Sequence, residues 1–158
     1  MSDRASVEVR TATLDDRAAV AALRRAWTEE NAGATIDDPT FLARFDEWLA
    51  REHDQRVTWL GLVGGAPVAM LNLLVFTRMP APRPPGSTRA TQWGYLANFY
   101  VRPEQRDVGI GTAMLGACTA YADEHGFARI VLSPTTGSVP LYARHGFAPA
   151  TSLMVRQP

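Results

Sequence analysis

The chain has no lysine: all 16 of its basic residues are arginine. A triphosphate loop of the G-x-x-x-x-G-K-[ST] kind is therefore excluded, because it needs a lysine against the phosphates. Codon bias in a G+C-rich genome is the plain reading of that composition. There is one cysteine, Cys118, so no internal disulfide and no cysteine metal cluster can form. It sits in "GTAMLGACTAYADEHG", where Met114, Cys118 and Tyr121 recur at helical spacing, and reads as a buried structural thiol. No apolar run is long enough to cross a bilayer. The formal net charge is zero, which argues against a whole-surface grip on nucleic acid or on an anionic membrane. The start, "MSDRASVEVR", carries no apolar secretory core, so a cytoplasmic location is expected. Three histidines stand without a further ligand at metal-binding spacing, and no metal is expected.

What is present is ordinary in bulk and uneven in detail. The 158 residues, 46% apolar and 20% charged, fit one domain spanning 1–158 with a core that needs no staples. Residues 1–60 hold 12 acids against 8 arginines, and residues 61–158 hold 4 acids against 8 arginines. Such a split suits an anionic ligand on the C-terminal half and a cationic one near the N-terminal half.

Local patterns give the element order. "VEVRTAT" alternates like an edge strand. Thr13 and Asp16 have capping-box spacing ahead of a helix through Val20, Leu23 and Trp27, which ends at "NAG", residues 31–33. Asp38 before Pro39 predicts the start of a second helix, whose apolar face runs Phe41, Leu42, Phe45, Trp48 and Leu49. "VTWLGLV" and "APVAMLNLLVF" flank Gly64-Gly65, a hairpin signature. The proline-rich segment 78–92 predicts an exposed loop, either a connector or a lid. "WGYLANFYV" follows as a central strand, then a helix from about Gly109 to His125. "ARIVLS" predicts a strand, "SVPLYARH" a short helix and "SLMVR" a last strand. "EHGFARI" and "RHGFAPA" place Gly126 and Gly146 where a left-handed residue ends a helix, with His125 and His145 in the last turns; His53 reads the same way. The order β-α-α-β-β-β-α-β-α-β describes a mixed α/β domain, not a regular doubly wound sheet.

One stretch points to chemistry. "VRPEQRDVGIGTAML", residues 101–115, places Gly109 and Gly111 between a strand and a helix. A dinucleotide fingerprint needs a third glycine where Met114 stands, and an acidic residue about twenty positions on that is missing here. Two readings remain. The glycines make a plain strand-to-helix turn, or they present backbone N–H groups and a helix N-terminus to an anion, with Arg102 and Arg106 at the rim.

The same stretch resembles the acyl-coenzyme A loop of the GNAT superfamily of N-acyltransferases, whose pattern Q/R-x-x-G-x-G/A appears as Arg106-Asp107-Val108-Gly109-Ile110-Gly111. A second family element, an L/F-Y before a G-F pair, appears as "LYARHGF". The resemblance covers the element order over most of the chain and is specific from about Gly94 to Phe147. It implies a GNAT-like fold and an acetyl-CoA-dependent N-acetyltransferase. By resemblance, the backbones of Phe99, Tyr100 and Val101 lie along the pantetheine arm. The amides of Arg106, Asp107, Val108, Gly109, Ile110, Gly111 and Thr112 cradle the pyrophosphate. Tyr142 matches the tyrosine beside the sulfur. Thr135 stands where relatives often carry a pantetheine-binding asparagine, and Ser138 where alanine is frequent. Relatives are often dimers, so a homodimer is the expected assembly.

Acyl transfer to an amine needs a neutral nucleophile, a stabilised tetrahedral oxyanion and a proton for the departing thiolate. A strand N–H near Asn98 to Tyr100 suits the oxyanion, and the Tyr142 phenol (pKa ~10) suits a thiol of pKa ~8.5. Many relatives carry a glutamate on the strand before the loop, yet "WGYLANFYV" has no acid. Glu29 and Glu30, the nearest candidates between the first two helices, also read as solvated helix-end acids, and no base is assigned. The expected acceptor is a small-molecule or peptide amine, with a cationic one favoured by the charge count alone. A non-catalytic acyl-CoA-binding sensor is the alternative. Docking of a protein or nucleic acid on loop 78–92 rests on only three arginines.

Overall fold

A computed structural model describes residues 6–158; the first five residues of the polar start lie outside the described part. Nine elements carry the fold: β1 (Val7–Thr11), α1 (Arg17–Ala32), α2 (Phe41–Glu52), β2 (Arg56–Val63), β3 (Ala66–Thr77), β4 (Gln92–Val101), α3 (Ile110–Glu124), β5 (Ile130–Val131) and α4 (Val139–Arg144). The sheet order is β1-β2-β3-β4-β5. The first four strands pair antiparallel, and β4 pairs with β5 in parallel.

The turn residues decide the early topology. Gly64 and Gly65 take φ of 57° and 79°, the left-handed pair a two-residue hairpin needs, and so bring β2 against β3. Asp16 accepts a hydrogen bond from the Thr13 N–H at 2.8 Å, closing a 3-10 turn from which α1 continues. Gly33 ends α1 at φ 67°.

Along each strand the apolar residues serve two faces. Trp59, Leu71 and Leu73 pack with Met114, Leu115 and Cys118 of α3. Their neighbours Leu60 and Met70 turn to the other face and pack with Leu23 of α1 and Tyr100 of β4. The sheet is therefore a filling between α3 on one side and α1 on the other, and buried strands of this kind are apolar on both faces. Cys118 is fully buried, and burial pushes its thiol up to about 12.

Three expectations are corrected. The second helix starts at Phe41, and Asp38 acts earlier: its carboxylate accepts from the Thr40 N–H at 3.1 Å and from the Thr40 hydroxyl at 2.9 Å. Asp38 closes a turn that leads into the helix, and Pro39 sits in that turn. The strand expected over "ARIVLS" is only Ile130–Val131. The strand expected at "SLMVR" does not form: Met154 is 99% exposed and Val155 is 84% exposed. Five alternating residues make a strand only where a sheet edge can pair with them, and the two-residue β5 offers almost none.

Gly126 and Gly146 do take positive φ, 63° and 84°. The N–H groups of Phe127 and Phe147 reach back to the carbonyls of Ala122 and Tyr142 at 2.9 and 3.1 Å. Each histidine donates through Nδ1 to a carbonyl four residues earlier: His53 to Leu49, His125 to Tyr121 and His145 to Leu141.

Candidate active site

Two observations on β4 show how its backbone is turned. The Gly94 N–H donates to Arg129 O at 3.0 Å on the β5 side, and the Arg102 N–H donates to Val68 O at 2.9 Å on the β3 side. In a regular strand residues an even number apart face the same edge. One extra residue must therefore intervene. It lies where Asn72 opposes Ala97 but Met70 opposes Tyr100, and Asn98 there has φ 52°. This bulge turns the N–H groups of Phe99 and Val101 away from β3. β5 pairs with β4 only at Gly94 and Tyr95, so the strands part just where those groups emerge.

A cleft of about 880 Å³ fills the gap. Phe99, Tyr100 and Val101 form one wall, Gly109, Gly111 and Thr112 the next, and Thr135, Ser138 and Tyr142 the third. The loop into α3 is shaped by left-handed residues, with φ 61° at Asp107 and 92° at Gly109. The Ala113 N–H is the first to bond within the helix, to Gly109 O at 3.0 Å, so those of Ile110, Gly111 and Thr112 have no helical acceptor. A Cβ at Gly111 would lie 3.5 Å from Leu141 and 3.8 Å from Phe99, taking up cleft space without a clash. Bare backbone, free donors and a helix N-terminus fit a diphosphate.

The residues singled out in the sequence are not equivalent. Arg106 keeps its N–H for Pro103 O at 3.3 Å, so its amide is not free for a ligand. Its guanidinium donates to Val101 O at 2.9 Å and pairs with Glu30 at 2.8 Å, tying the loop to α1. Ile110 is buried beneath the helix start, and Val108 is exposed in the loop. The Thr135 hydroxyl donates to Ser138 Oγ at 3.0 Å, and the Ser138 hydroxyl donates to Thr135 O at 2.9 Å. Arg102 does not line the cleft, whereas Arg144 of α4, which carried no sequence signal, does. Loop 78–91 lines neither this cleft nor its neighbour.

Tyr142 is 8% exposed, with edge contacts to Phe99 at 6.4 Å and Phe147 at 5.6 Å between ring centroids. Burial raises its phenol above the ordinary value, with Cys118 adding in the same direction. It is a protonated hydroxyl held in an apolar wall, which is what a proton donor requires. Tyr100 points to the opposite face, stacks on Trp27 at 6.2 Å and is raised by burial and by Glu30.

A second cleft, of about 620 Å³, lies between α1, α2 and the sheet and meets the first at Asn98, which lines both. Among the described residues no carboxylate lines it. Glu29 is occupied by the Ile36 N–H at 3.1 Å and by Arg25 at 3.6 Å, and Glu30 by Arg106. Asn72, 5% exposed, accepts from Arg56 and donates to Thr58, both at 2.8 Å.

Comparison with known proteins gives the class to which this split sheet and glycine-shaped helix start belong. Residues 19–147 match the family model "Acetyltransferase (GNAT) family". The chain belongs to the GNAT family of acetyltransferases. It is similar to a GCN5-related N-acetyltransferase of Ralstonia eutropha, with 32% identity, a TM-score of 0.69, and 96% of this chain and 99% of that one covered. Two further likenesses show the fold. One is a predicted acetyltransferase of Clostridium acetobutylicum solved with acetyl-CoA (21% identity, TM-score 0.70, 96% of each chain). The other is the glucosamine-6-phosphate N-acetyltransferase of Arabidopsis thaliana (13% identity, TM-score 0.67, 96% and 98%). A curated relative, the type III pantothenate kinase of Burkholderia vietnamiensis, is 38% identical over 81 residues, which are 50% of this chain and 30% of that protein.

Proposed function

We propose that the chain moves an acetyl group from acetyl-CoA to a primary amine of a small molecule or peptide by direct attack on the thioester. The observation that carries this is the meeting of three features in one cleft: the unpaired edge of β4, the free N–H groups at the start of α3, and the buried Tyr142 phenol. The diphosphate rests on the N–H groups of Ile110, Gly111 and Thr112, and the pantetheine amides pair with the backbone of Phe99 and Val101. Asn98 marks where the second cleft delivers the amine to the thioester carbonyl.

The neutral amine nitrogen attacks the carbonyl carbon and forms the C–N bond. The oxyanion is held by an outward N–H beside the bulge, that of Phe99. Its electron pair then returns and the C–S bond breaks. Tyr142 gives its proton to sulfur, and the proton lost by the new amide nitrogen returns to the phenolate through solvent. Burial makes the phenol a weaker acid, so it keeps its proton until the thiolate departs.

Calorimetric titration with acetyl-CoA, followed by thiol release across a panel of amines, tests the reading. Saturable binding with amine-dependent release is the predicted result. Saturable binding without release by any amine would favour a sensor, and no binding would remove the reading.

A further inference from the structure

The charges around the second cleft have the opposite sign from what the count over residues 1–60 suggests. Four arginines line it, Arg17, Arg24, Arg44 and Arg56. Three acids of this half of the chain pair with three of them and are themselves outside the lining. Arg17 meets Asp46 at 3.6 Å with both side chains more than half exposed, Arg44 pairs with Asp38, and Arg56 pairs with Glu52 at 3.0 Å. Among the described residues Arg24 has no carboxylate within ion-pair distance; its guanidinium lies 5.0 Å from the Trp27 ring. Arg56, its side chain 15% exposed, is fixed over Trp48 at 4.9 Å and by Asn72 at 2.8 Å. The apolar lining comes from Phe41, Phe45, Trp48 and Met70.

We infer that the acceptor is an amine that also carries an anionic group, a carboxylate or a phosphate, on an apolar or aromatic body. This rests on the proposed acetyl transfer and names the substrate class of the same site. Arginine binds such oxyanions through paired N–H donors. Arg24 is the group whose charge is still available, while Arg56 is held in place by its neighbours. A carboxylate or phosphate supplies a partner for Arg24, the one lining arginine without a carboxylate among the described residues, whereas a polyamine would add positive charge beside it. The same arginines disfavour an ammonium ion beside them, which keeps the attacking nitrogen neutral although no carboxylate among the described residues lines the cleft.

The test titrates matched probes into the whole chain, with and without CoA: phenylalanine against phenylalaninamide, O-phosphoethanolamine against ethanolamine, and spermidine. At least one member bearing the anionic group is expected to bind ten-fold or more tightly than the counterpart that lacks it, and the pair that shows it tells carboxylate from phosphate. Arg24→Gln should remove most of that preference, while Arg51→Gln, on an exposed turn outside the cleft lining, should leave it intact. Equal binding within both pairs, tighter binding of spermidine, or no binding of either anionic probe at millimolar concentration would overturn the inference. If Arg24→Gln does not fold, the preference of the unaltered chain decides. Acetyl-CoA binding is read in the same instrument, so loss of the proposed function and loss of the anion preference are separate results.

Discussion

Tyr142 and two glycines carry the sharpest consequences of the site's geometry. Replacing Tyr142 by Phe keeps the ring contacts with Phe99 and Phe147, so the fold should persist while kcat falls by about a hundred-fold or more, the usual size of a lost general acid. The phenol is raised, so its proton stays in place through neutral pH. The alkaline fall in kcat should therefore lie above the ordinary phenol value of ~10, and it should vanish in Tyr142→Phe; a pH–rate profile checks both. Gly109, at φ 92°, should resist substitution: Gly109→Ala is expected to lower stability by about 1–2 kcal/mol and to weaken acetyl-CoA, as read by denaturation and calorimetry. Gly94 is confined for a different reason, since a Cβ there would lie 2.7 Å from Leu73 in the core. Gly94→Ala should cost about 1–3 kcal/mol by overpacking, measured as a shift in denaturation midpoint.

The contacts between elements set a second group of expectations and show where the sequence stops being informative. Asp16 joins the end of β1 to the start of α1 through Arg10 at 2.8 Å, and its carboxyl is held well below the usual range, first by Arg10 and then by the Thr13 N–H. A depressed carboxyl stabilises the fold above its unfolded value of ~3.9 and loses that contribution as pH falls through the acid range. Asp16→Asn should therefore flatten the acid limb of stability, which melting curves between pH 2 and 6 would record. The hairpin at Gly64-Gly65, the endings at Gly126 and Gly146, and the glycine loop were legible because each depends on a backbone conformation few other residues adopt. The bulge at Asn98 was hidden inside an apolar strand, and its one trace is an asparagine, a residue that tolerates positive φ. "SLMVR" alternates like a strand, but local alternation carries no record of whether an edge is free to pair.

The assembled molecule brings together what no local pattern contains. Residues of β4, α3 and α4, more than forty positions apart at the extremes, meet across one cleft, and the arginines of α1, α2 and β2 meet across another. The charge count of the first sixty residues missed this arrangement because it has no direction: only packing of α1 and α2 on the sheet decides which residues line the cleft. Among the described residues no helix is long and apolar enough to cross a membrane. The measurement that bears most directly on the account is thiol release from acetyl-CoA in the presence of amines, with the unaltered chain beside Tyr142→Phe. Background from Cys118 should be small, because its thiol is buried and pushed up to about 12. Amine-dependent release that falls about a hundred-fold in the variant is the predicted result. Release that is equal in both proteins would contradict the role given to Tyr142, and its absence with every amine would contradict acetyl transfer itself.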